Sequence, residues 1–132
     1  MEKDLSFKLM GCFYKVRNVY GCGHREKIYD RVLDEVLVEA GLKYVNKPKI
    51  TLYSFALGKP ISSFIPDKLI ENKILVEIKA KPFVTVEDLN QMREYIKITK
   101  YEIIYLVNFG LKEFKPFRYI YTNDRKPFIV NL

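Results

Sequence analysis

A chain of 132 residues, 48% hydrophobic and 30% charged, is long enough to bury a real core and polar enough to be globular and soluble. It has no run of about eighteen apolar residues, which excludes a membrane-spanning helix, and Met1-Glu2-Lys3-Asp4 lacks the charged-then-apolar pattern of a secretory signal. One cytoplasmic domain over residues 1–132 is therefore expected, and the excess of 23 basic over 16 acidic residues, +7 in all, points modestly to a polyanionic partner. Cys12 and Cys22 read as reduced structural thiols, too few for a zinc site. The sole histidine, His24, argues against Ser/His/Asp or Cys/His catalysis and leaves no cluster for a transition metal.

Leu5, Leu9, Phe13, Val16 and Tyr20 fall at helical spacing and predict a first helix that Gly21-Cys22-Gly23 breaks. A second helix is expected from about His24 to Ala40, with Ile28, Val32, Leu33, Val36, Leu37 and Ala40 inward and Gly41 as its stop. Lys49 to Leu57 reads as a strand, and Gly58-Lys59-Pro60 as a turn. Two apolar, β-branched-rich runs follow, Ser63 to Ile70 and Ile74 to Ala80. With Glu71-Asn72-Lys73 between them they predict a hairpin. Thr85 opens a third helix, with Asp88 as capping-box partner, that runs to about Thr99. Ile103 to Val107 is apolar throughout, as a strand buried on both faces should be. Phe117 to Tyr121 reads as a last strand, and the tail from Asn123 onward as peripheral. The third helix gives a crossover long enough for its flanking strands to pair in parallel, so a mixed sheet flanked by helices is expected.

The hairpin carries the chemistry. A turn centred on Asn72 sets Asp67 directly opposite Glu77, where Cβ atoms are roughly 4.5–5.5 Å apart. Two carboxylates so placed repel unless a cation or proton lies between them. Side chains two apart share a strand face, so Lys79 joins Glu77. Hard oxygen ligands suit Mg²⁺ or Mn²⁺, which is held by one or two carboxylates plus phosphate oxygens. Such a metal polarises a phosphate and acidifies a bound water, while a nearby lysine can orient that water or offset transition-state charge. The plainer reading is an exposed hairpin face on which Asp67 and Lys79 form a weak ion pair.

The pattern Pro66-Asp67 followed by Glu77-Ile78-Lys79 resembles the PD-(D/E)xK nuclease superfamily. Within it the chain is similar to the GxxExxY proteins. That signature is carried by Gly23-His24-Arg25-Glu26-Lys27-Ile28-Tyr29 and Val38-Glu39-Ala40-Gly41-Leu42. It continues through the Asp67 and Glu77-Ile78-Lys79 hairpin, then Gln91-Met92-Arg93-Glu94-Tyr95, to Val107-Asn108-Phe109-Gly110. One departure is Gly21-Cys22-Gly23, where the family has a Gly-Pro-Gly-like turn. The resemblance implies an α/β, restriction-endonuclease-like fold, a mixed sheet flanked by helices. It also implies Mg²⁺-dependent phosphodiester hydrolysis, with DNA ahead of RNA as substrate.

In that frame Asp67 and Glu77 hold the metal, Glu26 is a third carboxylate at it, and Lys79 positions water. Ile78 lends a backbone carbonyl, and Gln91 orients water or phosphate with Tyr95 beside it. Each has a bland counterpart. Glu26 at a helix start interacts with free N–H groups and the helix dipole. Gln91 and Tyr95, four apart, share a stripe that could be merely solvated. Tyr29, Tyr44, Tyr53, Tyr101, Tyr105, Tyr119 and Tyr121 could stack bases or sit half-buried. Lys112, Lys115, Arg118, Arg125 and Lys126 could track a phosphate backbone or form a solvated face. Cutting two strands would favour a homodimer. The rival classes are a nucleic-acid-binding module that does not cut and a protein-interaction domain of the same fold.

Overall fold

The computed structural model describes residues 2–129. The α-helices among them are α1 (Lys3–Tyr20), α2 (Glu26–Glu39) and α3 (Val86–Ile98). The strands are β1 (Tyr44–Asn46), β2 (Ile50–Tyr53), β3 (Pro60–Phe64), β4 (Lys68–Ile70), β5 (Ile74–Lys79), β6 (Ile103–Asn108) and β7 (Phe117–Ile120). Five strands form one sheet in the order β1-β4-β5-β6-β7, and β2 with β3 forms a separate two-stranded sheet. Among the described residues only the β5/β6 pair is parallel, and α3 supplies its crossover, since a parallel pair cannot be joined by a tight turn.

Side-chain alternation divides the core. Ile74, Val76 and Ile78 of β5 face α1 and α2, where they meet Phe13, Tyr29, Leu33 and Leu37. Leu75 faces the other way, with Leu69, Met92 and Ile96 beneath α3. The β2/β3 hairpin completes this second layer through Ile50, Leu52 and Phe64. Every residue of β6 is buried, as its apolar run requires of a central strand. Thr85 caps α3 through the predicted box, each of Thr85 and Asp88 bonding the other's backbone N–H. Gly41 follows α2 at φ +76°, the left-handed conformation that favours glycine.

Three expectations are corrected. The first arm of the expected hairpin is two strands: Ser63 and Phe64 belong to β3 and pair with β2, and only Lys68–Ile70 pairs with β5. Pro66, which has no N–H to donate, stands at the break. The expected Lys49–Leu57 strand is shorter, Ile50–Tyr53, and Ser54 ends it by accepting hydrogen bonds from the backbone of Leu57 and Lys59. The tail is not wholly peripheral. Lys126 is buried, its ammonium donating to the Thr99 and Tyr101 carbonyls at 2.8 Å and to Asn123 at 2.9 Å. Residues 130–132, also part of that tail, lie outside the described residues.

Candidate active site

The β4/β5 hairpin has the predicted register. Glu71 and Asn72 both take positive φ, +51° and +55°, and the Lys73 N–H donates to the Ile70 carbonyl at 2.9 Å. Positive φ at both central residues matches the right-handed twist of paired strands. From this turn Ile70 faces Ile74, Leu69 faces Leu75 and Lys68 faces Val76. One step further, past the last paired residues, Asp67 comes against Glu77, and alternation puts Glu77 with Leu75 on the α3 face, with Lys79 next along.

Asp67 is 9% exposed, and its Oδ2 accepts from the Ile78 N–H at 2.7 Å. In a strand, one residue's N–H and C=O point to the same edge. The Ile78 carbonyl therefore also faces Asp67, at a level where β4 has ended and offers no ladder partner. The Lys79 carbonyl points the opposite way and accepts from Phe109 N–H at 2.9 Å.

Glu77 is incompletely satisfied. Its Oε1 is buried with no hydrogen-bond partner among the described residues. Burial first, and then the Asp67 carboxylate, push its carboxyl up to about 7, against a partial offset from Lys79. A buried, orphaned carboxylate oxygen beside a second carboxylate calls for a proton or a cation. Glu26 enters from the first residue of α2. Its side chain stays exposed, yet partial desolvation and then Asp67 raise its carboxyl, while Lys79 and Lys47 lower it. Glu26, Asp67, Glu77 and Lys79 thus share one electrostatic neighbourhood. Among the described residues no three acidic, His or Cys side chains form a ready-made metal cluster. The donor set fits a hard cation that takes two carboxylates, a carbonyl and substrate oxygens better than an all-protein cage.

Gln91 and Tyr95 sit one turn apart on α3, Gln91 donating to the Tyr95 hydroxyl at 2.9 Å. Tyr95 is stacked on Phe64 with ring centroids 3.8 Å apart. After desolvation, Glu77 is the next cause raising its phenol pKa. The ion-pair partner of Asp67 is not Lys79 but Lys47, at 2.6 Å. Of the tyrosines, Tyr29, Tyr101 and Tyr105 are buried and cannot stack bases. Lys126 likewise leaves the proposed basic track, while Lys112, Lys115, Arg118 and Arg125 remain exposed. A cleft of about 390 Å³ between β2, the end of α3 and residues 128–129 is lined by none of the acids.

Several supporting roles went unread in the sequence. Lys68, fully buried, bonds Asp30 of α2, Asp34 at 2.5 Å and Asn46 at 2.7 Å. This ties α2, which bears Glu26, to the residue after Asp67. The signal was available: Asp30 and Asp34 follow Glu26 at helical spacing of four. Tyr29 donates to the Gly21 carbonyl at 2.6 Å and stacks on Phe109 at 4.7 Å, so it pins the turn before Glu26. Asn108, buried, accepts from the Lys81 and Gly110 N–H groups at 3.0 Å and donates to the Phe83 carbonyl at 3.1 Å. It thereby clamps the loop leaving β5. Gly110 lies so close that a Cβ there would stand 2.5 Å from the Lys81 carbonyl oxygen.

A mixed sheet between helices, with carboxylates gathered where β4 starts and β5 ends, defines the restriction-endonuclease-like α/β class. Residues 3–119 match the PD-(D/E)XK nuclease superfamily, and the chain belongs to it. Neither the curated proteins nor the solved structures contain a match. Among the described residues no helix is long and apolar enough to cross a membrane.

Proposed function

We propose that this protein is a metal-dependent nuclease that hydrolyses phosphodiester bonds, with DNA preferred to RNA and Mg²⁺ or Mn²⁺ as cofactor. The observation that carries the reading is the buried Oε1 of Glu77, without a partner among the described residues, one register step beyond the Lys68/Val76 pair and beside Asp67. Water-exposed or ion-paired carboxylates would serve a merely structural hairpin better, because an orphaned buried charge is costly. Asp67, Glu77 and the Ile78 carbonyl would hold the cation, with Glu26 assisting at its outer side. Bound there, it would supply Lewis acidity toward a phosphate oxygen and a lowered pKa for water.

The remaining groups act on substrate and water. Lys79 lies along the strand from Glu77 and orients the attacking water while offsetting charge on the transition state. Gln91, through its bond to Tyr95, positions water or a phosphate oxygen from the α3 side. Exposed Lys112, Lys115, Arg118 and Arg125 offer a backbone-tracking surface. We further infer that the chain is of the GxxExxY type within its superfamily. Support comes from the motif's own parts: Gly23 has φ +102°, Glu26 starts α2, and Tyr29 anchors the turn. A cytoplasmic setting and a homodimer with one site per strand complete the reading.

A cleavage panel of single-stranded, duplex and branched DNA and of RNA, with Mg²⁺ and with Mn²⁺, tests it. Cleavage that disappears in Asp67→Ala and Glu77→Ala is expected. No metal-dependent cleavage of any member, or cleavage that survives both substitutions, refutes it.

A further inference from the structure

The pairing that sets Glu77 on one side of Asp67 sets Lys47 on the other. In the β1/β4 ladder Asn46 faces Lys68, so the next step outward opposes Lys47 to Asp67, and the Lys47 N–H donates to the Asp67 carbonyl at 2.9 Å. Lys47, Asp67 and Glu77 form a row across three strands. The Lys47 backbone is left-handed, with φ +51°, a conformation costly for a side chain with a Cβ. That turn brings its ammonium to 2.6 Å from Asp67 Oδ1, while the side chain as a whole stays 59% exposed.

We propose that Lys47 is a displaceable counter-cation of the metal site and a binding residue for a substrate phosphate. The proposal rests on the metal-dependent reading above. Without metal, the ammonium neutralises Asp67, whose other oxygen is already taken by the Ile78 N–H. A divalent cation at Asp67 competes for the oxygen Lys47 holds and repels the ammonium. Lys47 then turns, on a long and largely solvated side chain, toward the next available anion beside the metal, a phosphate oxygen of the bound strand. Lys79 cannot fill this role in the same way, because it stands beyond Glu77 on β5, on the other side of the row. The arrangement makes metal and phosphate binding mutually supportive: metal frees the lysine, and the phosphate receives it.

Lys47→Asn and Lys47→Gly test this, since both residues accept left-handed backbone and neither carries a charge. The first measurement is the Mg²⁺ concentration giving half the metal-induced rise in melting temperature, without nucleic acid. Loss of a competing exposed ion pair should lower it by about two- to fivefold in both variants. The second is cleavage of the preferred substrate at saturating metal. KM should rise about tenfold, as for a lost charge-assisted hydrogen bond, and the salt dependence of binding should lose about one phosphate contact. Lys47→Arg should keep the wild-type metal midpoint. An unchanged or higher midpoint in the two neutral variants overturns the counter-cation role, and an unchanged KM overturns the phosphate role. A wild type that Mg²⁺ and Mn²⁺ fail to stabilise overturns the metal reading, and this proposal with it. Normal wild-type stabilisation with an unmoved variant midpoint overturns this proposal alone.

Discussion

Substituting Glu77→Gln should make the metal-free protein more stable at pH 8 and leave it little changed at pH 4.5. Glu77 titrates near 4.5 when unfolded and at about 7 in the fold, through burial and then the Asp67 carboxylate. Between these values the folded state binds the proton more tightly than the unfolded state. Stability contributed by this group is therefore full below pH 4.5 and falls as pH rises toward 7, where it levels off. At about 1.4 kcal/mol for each pH unit, the cost of ionised Glu77 above pH 7 is on the order of 3 kcal/mol. That is an upper figure, since water reaching the carboxylate would reduce it. Glutamine keeps the shape, carries no charge, and can donate its amide to Asp67. Melting temperatures of the two proteins, without metal and in steps from pH 4.5 to 8.5, check this. The variant-minus-wild-type difference cancels other titrating groups. It should grow with pH to roughly 5–10 °C, at a few degrees per kcal/mol for a chain of this size. A variant that melts lower at pH 8, or a difference independent of pH, would refute the view that Glu77 is a strained carboxylate awaiting a cation.

Millimolar Mg²⁺ or Mn²⁺ should raise the wild-type melting temperature, by about 2.7 kcal/mol of stabilisation at a hundredfold excess over Kd, and the rise should vanish in Asp67→Ala; a scan that finds equal rises in both would remove Asp67 from the site. Lys79→Ala should cut kcat by roughly tenfold or more while metal-induced stabilisation survives, and Lys79→Arg should rescue incompletely because a planar fork replaces a compact ammonium; wild-type single-turnover rates in Lys79→Ala would make the Glu77-Ile78-Lys79 strand structural only. Gly110→Ala should destabilise by about 1–3 kcal/mol in denaturant unfolding, since its Cβ would meet the Lys81 carbonyl at 2.5 Å; an unaltered midpoint would mean that the loop after β5 shifts freely.

The sequence by itself determined the parts whose causes are local. Helical spacing located α1 and α2, Thr85 and Asp88 wrote their own cap, and the unbroken apolar run from Ile103 announced a strand covered on both faces. The turn at Glu71-Asn72 fixed the hairpin register, and register with its period of two places Asp67 opposite Glu77 before any tertiary contact is considered. Contacts between segments distant in the chain were decided only by the tertiary structure. Nothing near Lys47 says that β1 lies beside β4, yet that pairing brings its ammonium to Asp67. Neither Lys68 nor Lys126 announces its burial in the sequence, because lysine is seldom buried. Each is buried because acceptors from remote segments converge on it: Asp30, Asp34 and Asn46 on one, and the carbonyls of Thr99 and Tyr101 with Asn123 on the other. The run from Ser63 to Ile70 looked like one strand because both halves are apolar, and its first half joins a second sheet by pairing with β2, with Phe64 stacked on Tyr95 of α3. Local pattern sets element type and register, whereas burial of a charge depends on which distant groups arrive to satisfy it, and that depends on the fold as a whole.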